Sequence, residues 1–266
     1  MHFFDQDIEA REAIDLNSGN IKHHVVISDR YGVHDLPNGG YLMALIARQM
    51  MSRSDKGRTP IISANFLARP DNGPAEVITS EISQSKSFSR FGARLIQQNR
   101  EVVRAMGTFM EDNLECTLNR YEEEAPEILP LGKCLEMPGL PRFKIYDSMD
   151  VRLEPDSTGW MNGQNGEKSE VRGWIRFRDD RPFDMYGIVM AADAFFPPIM
   201  VSQGLSGWVP TIEMSVNVRN MPVGKWLKGC FRTKHITCGL LDEDGELWDE
   251  AGNLVAISRQ IAQFRG

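Results

Sequence analysis

An aspartate inside an otherwise apolar stretch is the side chain with the clearest chemical potential in this chain. Residues 188–196 read Ile-Val-Met-Ala-Ala-Asp-Ala-Phe-Phe, and Asp193 is the one charged residue among them. Burial in such surroundings disfavours the charged form of a carboxyl group and raises its pKa, which suits a general base. A lone aspartate in an apolar segment can also cap a helix. Asp193 is therefore a candidate general base, and the alternative is that it only caps a helix.

Two adjacent glycines, Gly39 and Gly40, open an apolar run over residues 41–51 that predicts a buried helix. The unpaired N–H groups at a buried helix N-terminus can bind a developing oxyanion, so both glycines are candidate substrate-binding residues. The same glycines could serve only to let the backbone pack closely. Both interpretations stay open. His34 and Asp35, just upstream, are predicted to lie in a loop.

Several catalytic arrangements are missing from the sequence. No Gly-x-Ser-x-Gly motif for a nucleophilic serine occurs. The cysteines show neither Cys-x-x-Cys spacing nor a histidine at zinc-finger distance, and no metal or organic cofactor is indicated. We expect small buried thiols in a reducing compartment. These cysteines are Cys116, Cys134, Cys230 and Cys238.

The overall composition argues against several classes of protein. The chain has 266 residues, of which 41% are hydrophobic and 25% charged, as is ordinary for a globular protein. Its net charge of -7 argues against a general nucleic-acid binder, which usually carries a basic face. No apolar run approaches the ~20 residues of a membrane helix, and the acidic start does not resemble a signal peptide. We expect a cytoplasmic protein with no nucleic-acid and no membrane partner.

The elements that must position these residues occur twice. Residues 60–69 and 210–219 each begin with Pro, continue as a strand-like pattern and end on Arg, at an offset of 150 residues. Each segment follows an apolar helix-like stretch and precedes further strand-like runs. A repeat this long indicates a duplicated domain rather than a solenoid, whose units have roughly 20–50 residues.

Each half therefore predicts one buried helix followed by about four strands. Most connections are too short for parallel crossovers, so the sheets are expected to be antiparallel and the fold class α+β. We expect an N-terminal domain over residues 1–111 and a C-terminal domain over residues 145–266. An acidic, proline-rich linker over residues 112–144 separates the two.

Two local predictions concern the second half. A second buried helix is predicted over residues 183–200, kinked by Pro197, which cannot donate to the carbonyl of Asp193. The alternative is that the prolines end this helix early. Further along the chain, Asp-Glu-Asp-Gly at residues 242–245 predicts a turn.

Four segments carry a resemblance to a known family. They are Asn-Gly-Gly-Tyr-Leu at residues 38–42, Ala-Ala-Asp at 191–193, the strand at 210–219 and the closing segment at 252–260. In these segments the chain resembles the TesB-like acyl-CoA thioesterases, also called the thioesterase II or double-hotdog family. The resemblance implies a double hotdog, in which two antiparallel sheets each wrap around a long central helix. It also implies hydrolysis of an acyl-CoA thioester by an activated water.

The resemblance identifies Asp193, Thr211 and Gln260 as the positions of the family's water-activating residues. A thioester has a good leaving group, so a positioned water can attack it without a covalent nucleophile. Asp193 would be the base, while Thr211 and Gln260 would hold the water without titrating. The first half offers no matching set, which predicts one active site per chain. By the repeat, the residues opposite the three are Tyr41, Ile61 and Thr108.

The resemblance also implies an acyl-CoA substrate, whose phosphates require basic residues at the mouth of a cleft. The candidates by position are Arg69, Arg219 and Lys225, each of which could instead be a solvated charge at a strand end. Hotdog sheets often pair edge to edge, so we expect a homo-oligomer.

Two other functions are compatible with the same resemblance. The protein could bind acyl-CoA without catalysis. It could also hydrate enoyl-CoA, a reaction that commonly uses an aspartate followed five residues later by histidine. Pro198 occupies that position after Asp193, which disfavours the hydratase.

Overall fold

The computed structural model describes residues 1–17, 19–111, 118–204 and 207–265, with the backbone alone at residues 58–60. The described α-helices are α1 (Phe3–Asp7), α2 (Gly39–Met51), α3 (Ile145–Ser148), α4 (Met185–Ala191) and α5 (Ile199–Gln203). The described strands of the first half are β1 (Glu12–Asp15), β2 (Asn20–Ile27), β3 (Gly32–Val33), β4 (Leu36–Pro37), β5 (Arg58–Phe66), β6 (Gly73–Gln84), β7 (Phe88–Gln97) and β8 (Arg100–Met110). Those of the second half are β9 (Leu135–Glu136), β10 (Met149–Leu153), β11 (Glu170–Phe177), β12 (Thr211–Val218), β13 (Leu227–Arg232), β14 (Ile236–Thr237), β15 (Leu240–Asp249) and β16 (Leu254–Gln263).

A continuous antiparallel sheet joins the two halves. Its order is β1-β2-β6-β7-β8-β5-β12-β16-β15-β13-β11-β10-β9, with β14 beside β15, while β3 and β4 pair separately. The central pair, β5 and β12, comes from the two repeated segments, and its register sets Ala64 opposite Met214. These two residues are 150 positions apart, so each repeat meets its own counterpart at a local two-fold axis. The predicted α+β class with antiparallel sheets is confirmed.

Two capped helices, α2 and α4, form the centre of the core. The side chain of Asn38 accepts a hydrogen bond from the backbone N–H of Tyr41 at 2.9 Å, which fixes the start of α2. Asp184 caps α4 in the same way. Arg48, near the end of α2, lies over the ring of Tyr186 at the start of α4, so the two helices run antiparallel. No helix in the described part of the chain is long and apolar enough to span a membrane.

The second central helix is shorter than predicted. The helix α4 ends at Ala191, and Asp193 lies beyond it in a turn. Continuing the helix would need an N–H group that Pro197 lacks. The side-chain amide of Asn38 donates instead to the carbonyl of Asp193, at 2.7 Å. The prediction of one kinked helix over residues 183–200 is therefore wrong, and the alternative that the prolines end it is correct.

The acidic run at residues 242–245 forms the middle of β15, so the predicted turn is wrong. The turn falls earlier, at Cys238 and Gly239, which have left-handed φ values of 51° and 79°. Asp244 is ion-paired with a basic side chain of β16, which offsets its charge. Glu243 points to the opposite side and is 6% exposed. Alternation along the strand thus separates two neighbouring acids into different environments.

The described part of the predicted linker contacts both halves, and residues 129–137 pack against the second. The strand β9 pairs with β10, and the indole N–H of Trp174 donates to the carbonyl of Leu129 at 2.9 Å. Met137, between these segments and the core, is buried. These contacts attach residues 129–137 to the C-terminal half, whereas Arg142 and Lys144 form ion pairs with Asp35 and Asp29 of the first half. The domain boundaries themselves stay a prediction.

The cysteines differ in their environments. Cys230 is buried as predicted, whereas Cys134 is only partly buried. Cys238 is exposed because it occupies the turn before β15, so the prediction of a buried thiol is wrong there. Cys116 lies outside the described residues.

Candidate active site

A cavity of about 370 Å³ opens between the two halves of the chain. Asp193, Thr211 and Gln260, which the sequence places far apart, all line it. A cavity of this size with apolar walls and a few polar groups is the usual form of a small-molecule site. Its aromatic lining consists of Phe66, Phe143, Tyr146, Phe195, Phe196 and Trp208.

The carboxylate of Asp193 is held by the N-terminus of α2, in the other half of the chain. The backbone N–H of Gly40 donates to Oδ2 at 2.8 Å, and the side-chain amide of Asn38 donates to the same oxygen at 3.0 Å. Burial raises the pKa of Asp193 to about 6, although these hydrogen bonds partly oppose the shift. Asp193 is thus ionised at neutral pH and more basic than an exposed aspartate, as a general base requires.

The geometry contradicts the predicted oxyanion-binding role for Gly40, whereas the same role for Gly39 stays a prediction. The N–H of Gly40 is already occupied by Asp193, and the N–H of Gly39 also helps to lower the pKa of that carboxyl. The packing interpretation holds instead. A Cβ at Gly40 would lie 2.8 Å from the Cβ of Asp193 and 2.9 Å from the carbonyl oxygen of Met190.

Substituting Gly40 by Ala is expected to destabilise the protein by about 1–3 kcal/mol, because the new methyl group meets backbone atoms that cannot rotate away. These are the carbonyl oxygens of Val189 and Met190, at 3.0 and 2.9 Å. Urea unfolding measures the change. Gly92→Ala is the matched control, since the nearest atom to its Cβ is a side-chain carbon of Ile82 at 3.4 Å. An unshifted unfolding midpoint in Gly40→Ala would contradict the expectation.

Thr211 and Gln260 form a hydrogen-bonded pair on neighbouring strands. The hydroxyl of Thr211 donates to Oε1 of Gln260 at 2.9 Å. A bulge in β12 between Thr211 and Glu213 shifts the local register beside β16. Because the amide oxygen of Gln260 is engaged, its NH₂ group is the part that can donate elsewhere.

A fourth polar residue, Glu243, lines the same cavity and was missed in the sequence. It stands directly opposite Gln260 in the β15–β16 pair, and its Oε2 is buried without a hydrogen-bond partner among the described residues. Burial, followed by the charge of Asp193, raises the pKa of Glu243 to about 8. The alternation of side chains along a strand could have identified it. Leu241 and Leu247 lie an even number of residues from Glu243, so all three side chains point to the same face, and both leucines are buried.

The sheet register corrects the predicted counterpart of Gln260 in the first half. The β5–β8 pair sets Ala105 opposite Ala64. The β12–β16 pair sets Gln260 opposite Met214, which is the repeat partner of Ala64. The counterpart of Gln260 is therefore Ala105, and the earlier alignment with Thr108 is wrong. Alanine has no polar side-chain group, which agrees with the prediction of one active site per chain.

Of the three predicted CoA-binding residues, only Arg69 lines the cavity. Arg69 is exposed and lines the cavity, where Arg265 joins it. Arg219 lies past the far end of β12, eight residues beyond Thr211, or roughly 25 Å at 3.3 Å per residue. Lys225 forms an ion pair of 3.3 Å with an acidic residue and does not line the cavity either. The prediction is wrong for Arg219 and Lys225.

Family models account for most of the chain. Residues 27–110 match the acyl-CoA thioesterase N-terminal domain, and residues 123–264 match the acyl-CoA thioesterase C-terminal domain. The chain therefore belongs to the acyl-CoA thioesterase family, and the predicted resemblance to TesB-like proteins is confirmed.

Solved structures agree with this family. A candidate thioesterase II from Thermobifida fusca matches with a TM-score of 0.87 and 24% identity, covering 100% of this chain and 98% of that one. A hot dog-fold protein of unknown function from Alicyclobacillus acidocaldarius has a TM-score of 0.88 and 19% identity, covering 100% and 99%. An uncharacterized protein of Mycobacterium tuberculosis is 24% identical over 271 residues, covering 92% of this chain and 89% of the relative. The double-hotdog fold is confirmed.

Proposed function

We propose that the protein hydrolyses acyl-CoA thioesters to a free acid and CoA by direct attack of water. The observation that carries this proposal is the carboxylate of Asp193, anchored by Asn38 and Gly40 in one cavity with the Thr211–Gln260 pair. Membership of the acyl-CoA thioesterase family supports the substrate class.

In the proposed mechanism, Asp193 takes a proton from water while the water oxygen forms a bond to the thioester carbonyl carbon. Thr211 and Gln260 hold that water and do not titrate. The tetrahedral adduct then collapses, and the C–S bond breaks with its electron pair on sulfur. Asp193 returns the proton to the thiolate, so the base is regenerated and no acyl-enzyme forms. This route agrees with the absence of a nucleophilic serine motif.

A thiol reagent with a panel of acyl-CoA substrates, from short to long chains, tests the proposal. Thiol release that exceeds the rate without protein supports it. Bound acyl-CoA with no thiol release over hours would point to a non-catalytic acyl-CoA-binding protein. Loss of the enoyl thioester absorbance without thiol release would point to a hydratase.

The acid limb of the pH profile is expected near pH 6, well above the ordinary range of an aspartate. Burial raises the pKa of Asp193 to about 6, and below that pH the protonated carboxyl cannot accept a proton. The value of kcat/KM should therefore fall about tenfold per pH unit as the pH drops below about 6. Steady-state rates from about pH 4.5 to 7.5 measure this limb, with circular dichroism as the check on folding. A rate that stays constant down to about pH 4.5 would contradict the role of Asp193.

Substituting Arg69 by Ala is expected to raise KM for acyl-CoA roughly 3–10-fold with little change in kcat. The reason is that an exposed cation at the cavity mouth binds phosphate groups and does not reach the reacting carbon. Arg219→Ala is the matched control and should leave both constants unchanged. A short thioester without the CoA phosphates should be insensitive to Arg69→Ala. An equal effect of the two alanine variants would contradict the assignment.

A further inference from the structure

We propose that Glu243 is a positioning residue of this site, which holds the side-chain amide of Gln260 in place. The inference rests on the proposed thioester hydrolysis and adds a residue to the trio that the family resemblance identifies. Its basis is the placement of Glu243 in the cavity wall.

The sheet register brings Glu243 and Gln260 together. They are directly opposed on β15 and β16, and the two residues are only 6% and 7% exposed. Directly opposed side chains in an antiparallel pair have Cβ atoms about 4.5–5.5 Å apart, close enough to interact. The side chain of Gln260 contributes a hydrogen-bonding interaction to the Glu243 carboxyl.

The amide of Gln260 therefore lies between two polar neighbours, Thr211 and Glu243. Its oxygen accepts from the Thr211 hydroxyl at 2.9 Å, and its nitrogen is the group left to donate to Glu243. Oxygen and NH₂ of a carboxamide are nearly the same size, so shape alone does not prevent a flip. A protonated Glu243 offers its carbonyl oxygen to the nitrogen of Gln260, so the carboxyl and the Thr211 hydroxyl together restrict the motion of the amide. The second N–H of that nitrogen remains available for water or substrate.

The surroundings of Glu243 favour a protonated acid at neutral pH. Its Oε2 is buried without a partner among the described residues, and a buried unpaired charge is costly. The charged groups that act on it are Asp193, from the turn after α4, and Asp244 on its own strand. Both are acidic, and no basic residue of the described chain contributes to its pKa of about 8.

A neutral Glu243 can accept from Gln260 without adding a charge beside the carboxylate of Asp193. It also adds no repulsion against the negative charge that develops on the thioester oxygen. Once Glu243 ionises, above about pH 8, a second negative charge faces Asp193. Activity should then fall as the pH rises through that value.

Three variants measured by thiol release test this role. Glu243→Gln keeps an acceptor in the same place and should retain kcat within about fivefold at pH 7. Glu243→Met has a similar length but no acceptor, and should lower kcat roughly 10–100-fold with little change in KM. Asp244→Asn is the control for loss of an acid on the outward side of β15 and should not change the rate. Equal losses in Glu243→Gln and Glu243→Met, or full activity in Glu243→Met, would overturn the proposal.

The alkaline limb separates positioning from a merely structural role. Wild-type kcat/KM should fall above about pH 8, and Glu243→Gln should lose that limb while keeping the acid limb of Asp193. An alkaline limb that is the same in both proteins would count against Glu243.

A measurement without substrate keeps this proposal distinct from the proposed function. The side-chain amide signals of Gln260, assigned by their loss in Gln260→Leu, can be followed by NMR in isotope-labelled protein. They should shift with a midpoint near pH 8 in the wild type and not in Glu243→Gln. If the wild type cleaves no acyl-CoA but the shift is present, the proposed hydrolysis fails while the contact stands. The Glu243 proposal fails if the chemical shifts of the Gln260 amide do not change with pH, or if they change equally in both proteins.

Discussion

Replacing Asp193 by Asn is expected to lower kcat by roughly 10²–10⁴-fold while the protein stays folded. The side-chain oxygen of asparagine can still accept the hydrogen bonds that Gly40 and Asn38 give to the carboxylate. It cannot take a proton from water at any pH of interest. The variant therefore removes the base and leaves its position in the cavity nearly unchanged.

Thiol release from the acyl-CoA panel measures this loss, and thermal unfolding shows whether the variant is folded. Asp244→Asn is the control, because that acid is ion-paired outside the cavity. Full activity of Asp193→Asn on every substrate would refute the assignment of the base. A folded, active Asp193→Asn together with an inactive Glu243→Gln would move the base to Glu243.

Substituting Glu243 by Gln is expected to stabilise the protein at pH 7 by about 3 kcal/mol. The folded-state pKa of Glu243 is raised to about 8, from an ordinary value of 4.5. Between these values the unfolded chain has lost the proton that the folded chain keeps, so this group favours unfolding increasingly as the pH rises. The interval from 4.5 to pH 7, at about 1.36 kcal/mol per pKa unit, sets the size of the effect.

Urea unfolding of the wild type and Glu243→Gln at about pH 5 and pH 7 measures this difference. The advantage of the variant should be small at the lower pH, where glutamate in the unfolded chain is still partly protonated. Asp244→Asn should show no comparable gain with pH. A variant that is equally or less stable than the wild type at pH 7 would show that ionisation of the buried carboxyl is not disfavoured by its surroundings.

Local patterns sufficed for much of the fold. The repeated strand-like segments at residues 60–69 and 210–219 contribute to β5 and β12 as predicted, because a strand pattern is visible in the sequence itself. The tight turn after β7 is equally local, with left-handed φ values of 51° at Gln98 and 60° at Asn99. These features depend on neighbours in the chain, which a sequence displays directly.

Two of the failures depend on partners that are distant in the sequence. The end of α4 is set partly by Asn38, whose amide takes over the carbonyl of Asp193 from 155 positions away. The acidic run of β15 has the composition of a turn, yet pairing with β13 and β16 makes it a strand. No local pattern contains these contacts.

The candidate site also combines residues that the sequence identified and residues that only the fold reveals. The resemblance predicted Asp193, Thr211 and Gln260, which line one cavity, and their catalytic roles stay a prediction. It gave no indication of Glu243, because the turn predicted at residues 242–245 placed this residue in a loop instead of in the wall of the cavity. Arg219 was misplaced because a basic residue at a strand end does not reveal which end of the sheet holds the cavity.

The anchoring of Asp193 by the first half has an evolutionary consequence. The acid belongs to one repeat, and the amide and N–H groups that secure it belong to the other. Neither repeat can therefore complete this arrangement by itself, so selection on the proposed activity acts on both repeats together.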